Sequence, residues 1–265
     1  MVTKGEGIMN IIEENIFNLK GKNVILIGAS SGIGESIAMA LIKYNANVVG
    51  TYNSKPISNS FLIKNENFIP YQLNIENISD DYLENLWTFT LSKFKCLPDI
   101  LINCAGINLH SWIEDYPIND WNKVLDINLT SPFKMCQYFA KKHIEKNSSA
   151  KIINISSLTS FQAGKNCTGY TVSKHGLMGL TKILANELGK YNITANCIAP
   201  GYIYTDMTSD FLSNSYLSKS YLDRIALGRW GKPEDIQGAA IFLCSDASNY
   251  ITGSTIIIDG GYLNS

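Results

Sequence analysis

The 265-residue chain is predicted to form a doubly wound α/β fold, a seven-stranded parallel sheet with helices on both faces. Three observations predict it. Short β-rich runs alternate with stretches long enough for helices. Several of those runs are apolar at every position, as strands covered on both sides must be. The first run ends in a glycine-rich turn that leads straight into a helical pattern.

Taken in order, residues 24–28, 48–52, 68–73, 100–103, 151–155, 193–198 and 255–258 read as strands. Val24-Ile25-Leu26-Ile27, Ile152-Ile153 and Ile256-Ile257-Ile258 lack the polar alternation of a half-exposed strand. With no repeat, low-complexity tract or Gly/Ser linker to divide it, 19–265 is expected to be one domain behind a leader at 1–18. Residues 205–227, polar and rich in Tyr and Ser, follow a strand end. Ligands of such sheets bind beyond the carboxyl ends of the strands, so this segment is expected to be a substrate lid.

A hydrophobic content of 45% against 17% charged residues suits one large core. The net charge of -1, with charges interspersed, argues against nucleic-acid and membrane partners, and no run of about 18 apolar residues occurs. Six cysteines lie far apart with no C-x-x-C pair. They read as buried thiols rather than disulfides or metal ligands, which implies a cytoplasmic setting and no metal site.

The turn is Gly28-Ala29-Ser30-Ser31-Gly32-Ile33-Gly34. Gly28 allows a tight turn, Gly32 a close approach to a diphosphate and Gly34 close packing of helix on strand. Ser30, Ser31 and Ile33 then present backbone N–H groups at a helix N-terminus, where the dipole favours anions. The same stretch contains Gly28-x-Ser30-x-Gly32, the formal nucleophile elbow of a hydrolase. Only 27 residues precede it, and all three histidines (His110, His143, His175) come before the last third of the chain, so the elements that reading needs are missing.

Tyr170 and Lys174 lie four apart at the start of an amphipathic stretch and share one helix face. An ammonium beside a phenol favours phenolate, so Lys174, together with a cationic nicotinamide, is expected to lower the pKa of Tyr170. Ser156 and Ser157 end a buried strand at the ligand-bearing edge, where a hydroxyl can hold a substrate oxygen.

Together, Gly28-x3-Gly32-x-Gly34, Asn103-Cys104-Ala105-Gly106, Asn128, Ser157, Tyr170-x3-Lys174 and Pro200-Gly201 resemble the short-chain dehydrogenase/reductases in order and spacing, over about Leu19 to Tyr262. The resemblance implies a Rossmann fold and hydride exchange between NAD(P)(H) and a small carbonyl or alcohol. It implies that Tyr170 donates or accepts the proton, that Lys174 lowers its pKa and holds the nicotinamide ribose, that Ser157 orients the carbonyl, and that Asn128 positions a water in a proton relay. It favours Ser157 over Ser156, places Pro200, Gly201, Ile203 and Thr205 beside the nicotinamide, and makes Ala105 and Gly106 part of the cofactor wall. Ile27, Cys104 and Asn74 depart from the family pattern of Thr, Asn and Asp. Asn74, with Ile75, is still expected at the adenine, and Asn103 on the ribose side, while Cys104 is expected to pack.

No acid lies between Val48 and Lys64 to bind a ribose 2′-hydroxyl. Tyr52-Asn53-Ser54-Lys55 stands there instead, and Ser54 and Lys55 could take a 2′-phosphate, so NADP(H) is expected over NAD(H). The stretches 228–235 and 259–261, with Ser160-Phe161-Gln162, resemble sugar-acid dehydrogenases acting on 2-deoxygluconate or keto-deoxygluconate. Of the two arginines, Arg229 is expected to be structural, which leaves Arg224 for a substrate carboxylate. A 3-oxoacyl thioester reductase shares these motifs. A non-catalytic nucleotide sensor would not need Ser157, Tyr170, Lys174 and Asn128 together. The resemblance also implies a homotetramer, with the long helices beginning near Asn119 and Thr168 as dimer faces.

Overall fold

Val24 to Ile27 alternate between two separate cores, which is why the first strand shows no polar face. Val24 and Leu26 join Ile37, Leu41, Ile102, Ile153 and Ile241 on one side of the sheet. Ile25 and Ile27 join Trp87, Leu101, Phe139 and Ile152 on the other. The computed structural model describes residues 15–209 and 215–264. Residues 1–14 of the expected leader and 210–214 of the expected lid lie outside them.

The strands are β1 (Asn23–Ile27), β2 (Asn47–Tyr52), β3 (Phe68–Gln72), β4 (Ile100–Asn103), β5 (Ala150–Ile155), β6 (Ile193–Pro200) and β7 (Thr255–Ile258). They form one sheet in the order β3-β2-β1-β4-β5-β6-β7, and every neighbouring pair is parallel. The direction of strand addition reverses between β1 and β4, and a crevice opens there at the carboxyl edge. Gly28 is not part of β1: its φ is +87°, and it begins the turn.

The helices are α1 (Gly32–Lys43), α2 (Ser60–Ile63), α3 (Asp80–Phe94), α4 (Ile118–Leu125), α5 (Ser131–Glu145), α6 (Thr168–Leu188), α7 (Ser215–Leu222) and α8 (Gln237–Cys244). A wide π turn, Asp126–Thr130, joins α4 to α5 without a break, and such turns are frequent at functional sites. β7 departs from expectation. It is an edge strand with Ile257 43% exposed, so its apolar run is not covered on both faces. Among the described residues, no helix is long and apolar enough to cross a membrane. Cys96 is exposed, whereas Cys136, Cys167, Cys197 and Cys244 are buried free thiols.

Candidate active site

The glycine turn is shaped by contacts that leave no room for side chains. A Cβ on Gly28 would stand 2.8 Å from the Ala105 backbone, and one on Gly34 would stand 1.8 Å from the Gly28 carbonyl oxygen. The first turn of α1 therefore presses onto the loop after β1. Gly28 N–H donates to Thr51 Oγ1 (3.0 Å), which ties the turn to β2. Ser31, at the start of α1, makes no side-chain cap, so the leading N–H groups are not closed off by a hydroxyl.

From this turn a cleft of about 350 Å³ runs along the carboxyl edge to α6, a volume in the range of small-molecule sites. Most of the residues singled out in the sequence line it. They are Gly28, Ser30, Ser31, Gly32, Ile33 and Gly34 from the turn, Tyr52 and Asn53 from the end of β2, and Asn74 and Ile75 after β3. Ala105 and Gly106 follow β4, Ser157 follows β5, Tyr170 and Lys174 project from α6, and Pro200, Gly201, Ile203 and Thr205 end and follow β6. A glycine cradle at an uncapped helix start, opening into an elongated cleft, fits a dinucleotide.

Four of the expected residues do not line the cleft. Asn103 is 3% exposed and donates to Asn154 Oδ1 (2.8 Å) and Cys136 Sγ (3.3 Å), so it braces β4 against β5 rather than standing beside a ribose. Ser54 and Lys55 are exposed, and the Lys55 ammonium pairs with Asp206 (3.2 Å). Asn128 is fully buried in the π turn. Its Oδ1 accepts from Ile107 N–H (2.9 Å), and its Nδ2 donates to Ile107 C=O (2.8 Å) and to Ser173 Oγ (3.1 Å). It lies behind Gly106, where a Cβ would meet Asn128 Oδ1 at 3.2 Å and Lys174 Nζ at 3.5 Å.

Two other expectations change. The Asn74 side-chain oxygen already accepts from Glu76 N–H (3.0 Å) in a local turn, which leaves it one lone pair for the adenine. Arg224 is not held ready for a carboxylate: its guanidinium stacks on the Tyr262 ring at 4.1 Å and donates to the Tyr262 hydroxyl (2.7 Å). Arg229 is structural as expected, in a two-pronged pair with Asp235.

At the far end of the cleft the side chains of Ser157 and Tyr170 stand together, and the serine hydroxyl favours the ionised phenol. Ser156 also borders the cleft, but its hydroxyl meets Ser160 Oγ, and Ser160 donates to the Lys174 carbonyl (2.7 Å). Sequence reasoning missed this Ser156–Ser160 clamp on α6, although the four-residue spacing of the two serines was visible. It also missed Thr51, Cys104, Asp206 and Met207, which line the cleft.

Lys174 is 4% exposed, donates to the Ile155 carbonyl (2.8 Å) and stands 5.5 Å from the centre of the Tyr170 ring. Burial pulls the Lys174 ammonium down to about 8. Burial pushes the Tyr170 phenol up to about 12, opposed by the nearby Ser157 hydroxyl. The expected acidification of Tyr170 is therefore not what these groups produce by themselves. Both lose water on burial, and each shifts towards its neutral form. Burial likewise pushes Cys104 up to about 12, as suits a thiol that packs.

The family model for enoyl-(acyl carrier protein) reductase, a branch of the short-chain dehydrogenase/reductases, matches residues 28–263. The chain belongs to the short-chain dehydrogenase/reductase family. It is an oxidoreductase of that family. It is 38% identical over 251 residues to a 2-dehydro-3-deoxy-D-gluconate 5-dehydrogenase of Dickeya dadantii, covering 94% of this chain and 98% of that protein. It is 34% identical over 246 residues to a 3-oxoacyl-[acyl-carrier-protein] reductase of Thermotoga maritima, covering 92% and 98%. A protein of Agrobacterium tumefaciens assigned as a 2-deoxy-D-gluconate 3-dehydrogenase, solved with NADP, superposes with a TM-score of 0.87 at 36% identity, covering 95% and 100%. A 4-hydroxyisoleucine dehydrogenase solved with NADH superposes at 0.83 and 35% identity, covering 92% and 99%.

Proposed function

We propose that this protein interconverts a secondary alcohol and a ketone on a small sugar acid, using NADP(H) in preference to NAD(H), with Tyr170 as acid and base. The observation that carries the reading is the meeting of Ser157, Tyr170 and Lys174 at the end of a cleft that starts in a glycine turn.

When bound, the dinucleotide supplies or takes up the hydride. The protein manages one proton and one alignment. Tyr170 Oη gives its proton to the carbonyl oxygen, or takes one from the hydroxyl, while Ser157 Oγ holds the same oxygen. Lys174, anchored on Ile155 C=O, stands at the ribose side and turns its charge towards the phenol. Asn128 grips both backbone atoms of Ile107 and so fixes the loop after β4 against which the cofactor lies. Gly28 to Gly34 hold the diphosphate, with Tyr52, Asn53 and Lys55 at the adenosine end. Residues 205–227 act as the lid.

Sugar-acid chemistry is supported by the Dickeya and Agrobacterium relatives, and NADP by the latter's bound cofactor and by the lack of an acid after β2. The Thermotoga relative supports the alternative of a 3-oxoacyl thioester reductase. A panel of keto sugar acids, acetoacetyl thioesters and simple ketones, each followed with NADPH and NADH, tests both. The expected result is turnover of keto sugar acids with a lower KM for NADPH. Equal use of the cofactors removes the NADP preference, and turnover of thioesters alone selects the alternative.

The protein is further proposed to work in the cytoplasm as a homotetramer. Exposed Phe133 and Ile144 on α5, Val172 and Ile183 on α6 and Ile257 at the β7 edge give it apolar faces to cover. A solution mass of one protomer would exclude the assembly.

A further inference from the structure

The segment after β3, residues 74–78, walls the cleft through Asn74 and Ile75. Among the described residues, it takes part in no backbone–backbone hydrogen bond of the turns and loops. Asn77 sits at φ +54°, in the left-handed region, and Ile75 and Ile78 are buried. Backbone placed in this way needs polar partners from elsewhere.

The partners come from α4, α5 and the π turn between them. Ser131 Oγ, fully buried, donates to the Ile75 carbonyl (2.5 Å), and Lys134 Nζ donates to the Ile78 carbonyl (2.8 Å). Asp126 Oδ2 accepts from Asn77 N–H (2.5 Å), and Lys123 pairs with Glu76 (3.3 Å). Ile127, next to Asp126, lines the cleft itself and shares one buried cluster with Ile75 and Ile78. Asp126 and Ser131 do not line the cleft, so whatever they do for a ligand they do through the segment they hold.

We infer that Asp126 and Ser131 are positioning residues for the adenosine half of the dinucleotide. By fixing Asn77 N–H and Ile75 C=O they keep Asn74 and Ile75 where an adenine ring would lie. A segment with so little hydrogen bonding of its own has few means of keeping one shape. Losing either contact spreads it over several shapes, and a ligand must then re-order it on binding. The nicotinamide end is braced by other contacts, Asn128 on Ile107 and Lys174 on Ile155. The inference rests on the reading that the β3 end of the cleft takes the adenosine.

The test measures dissociation constants for NADPH and reduced nicotinamide mononucleotide by their fluorescence, and for 2′,5′-ADP and 5′-AMP by displacement of NADPH. Asp126→Ala and Ser131→Ala should each weaken NADPH and both adenosine fragments by about fivefold, the worth of one hydrogen bond, and the nicotinamide fragment by less than about twofold. Asp126→Asn keeps an oxygen for Asn77 N–H and should bind all four ligands like the parent. Equal weakening of the two halves, no weakening, or as large a loss in Asp126→Asn as in Asp126→Ala overturns the inference. Should Ser131→Ala fail to fold, the two variants at Asp126, which is only partly buried, decide alone. A parent that binds neither NADPH nor the adenosine fragments defeats the cofactor reading and the inference with it. A parent that binds them, with variants that match it on every ligand, defeats the inference alone.

Discussion

Lys55, just after β2, and Asp206, at the start of the lid, form an ion pair of 3.2 Å across 151 residues of sequence. Asp206 lines the cofactor cleft, whereas the lysine proposed for the 2′-phosphate is turned towards it. A phosphate must compete with that carboxylate for the ammonium. Both side chains are largely exposed, so the pair is worth only about 0.2–1 kcal/mol. Asp206→Asn should lower the KM for NADPH by about two- to fivefold and move the KM for NADH much less. In a Lys55→Met background the same change should have no such effect, and steady-state kinetics on the four proteins gives the answer.

Ser157 and Ser156 are neighbours on the cleft wall, one beside Tyr170 and the other bonded to Ser160. Ser157→Ala and Tyr170→Phe should each cut kcat by about 10²–10⁴-fold, the usual worth of a positioned proton donor, with cofactor affinity measured by fluorescence titration nearly retained. Ser156→Ala should lose far less kcat and instead about 1 kcat-independent kcal/mol of stability, read from urea unfolding. The reverse ranking of the two serines would exchange their roles.

Lys174 titrates at about 8 in the folded protein against 10.5 for an ordinary lysine. Between those values the unfolded chain holds more protons than the folded one, so stability rises with pH across the window. The full cost of the buried charge is present below pH 8. Tyr170, at about 12 against 10.0, works in the opposite sense, and its contribution falls away above pH 10. Unfolding free energies without dinucleotide at pH 7 and pH 10 should show the parent gaining about 3 kcal/mol relative to Lys174→Met. Parallel profiles would mean that the ammonium is not penalised by burial.

Asn128→Ala would strip both Ile107 backbone atoms of their partner. A loss of about 2 kcal/mol in stability is expected, with weaker cofactor binding because the loop after β4 loses its brace. Thermal melts with and without NADP+ separate the two effects. A variant that melts and binds like the parent would show that the loop holds its shape unaided.

The strands were legible because β1, β4 and β5 are buried on both faces, and continuous apolar runs have few other homes. The glycine turn and the Tyr170–Lys174 pair were legible because their geometry is local in sequence. What escaped depends on distant partners. Asn103 looked like a cleft residue until Asn154 and Cys136 took up its amide. Arg224 looked available until Tyr262 was seen beneath it. For Tyr170, spacing supplies a neighbouring charge but not the extent of burial that opposes it in the protein alone.

Asn128 owes its position to a turn of five residues within a helix that otherwise runs on regularly from Ile118 to Glu145. That turn spends one amino acid more than an α-helical path of the same rise. Deleting Leu129 would therefore let the helix close into uniform winding and swing this amide roughly 100° about the axis, away from Ile107. For a designer or an evolving lineage, chain length at this one point is as consequential as the identity of any side chain in the cleft.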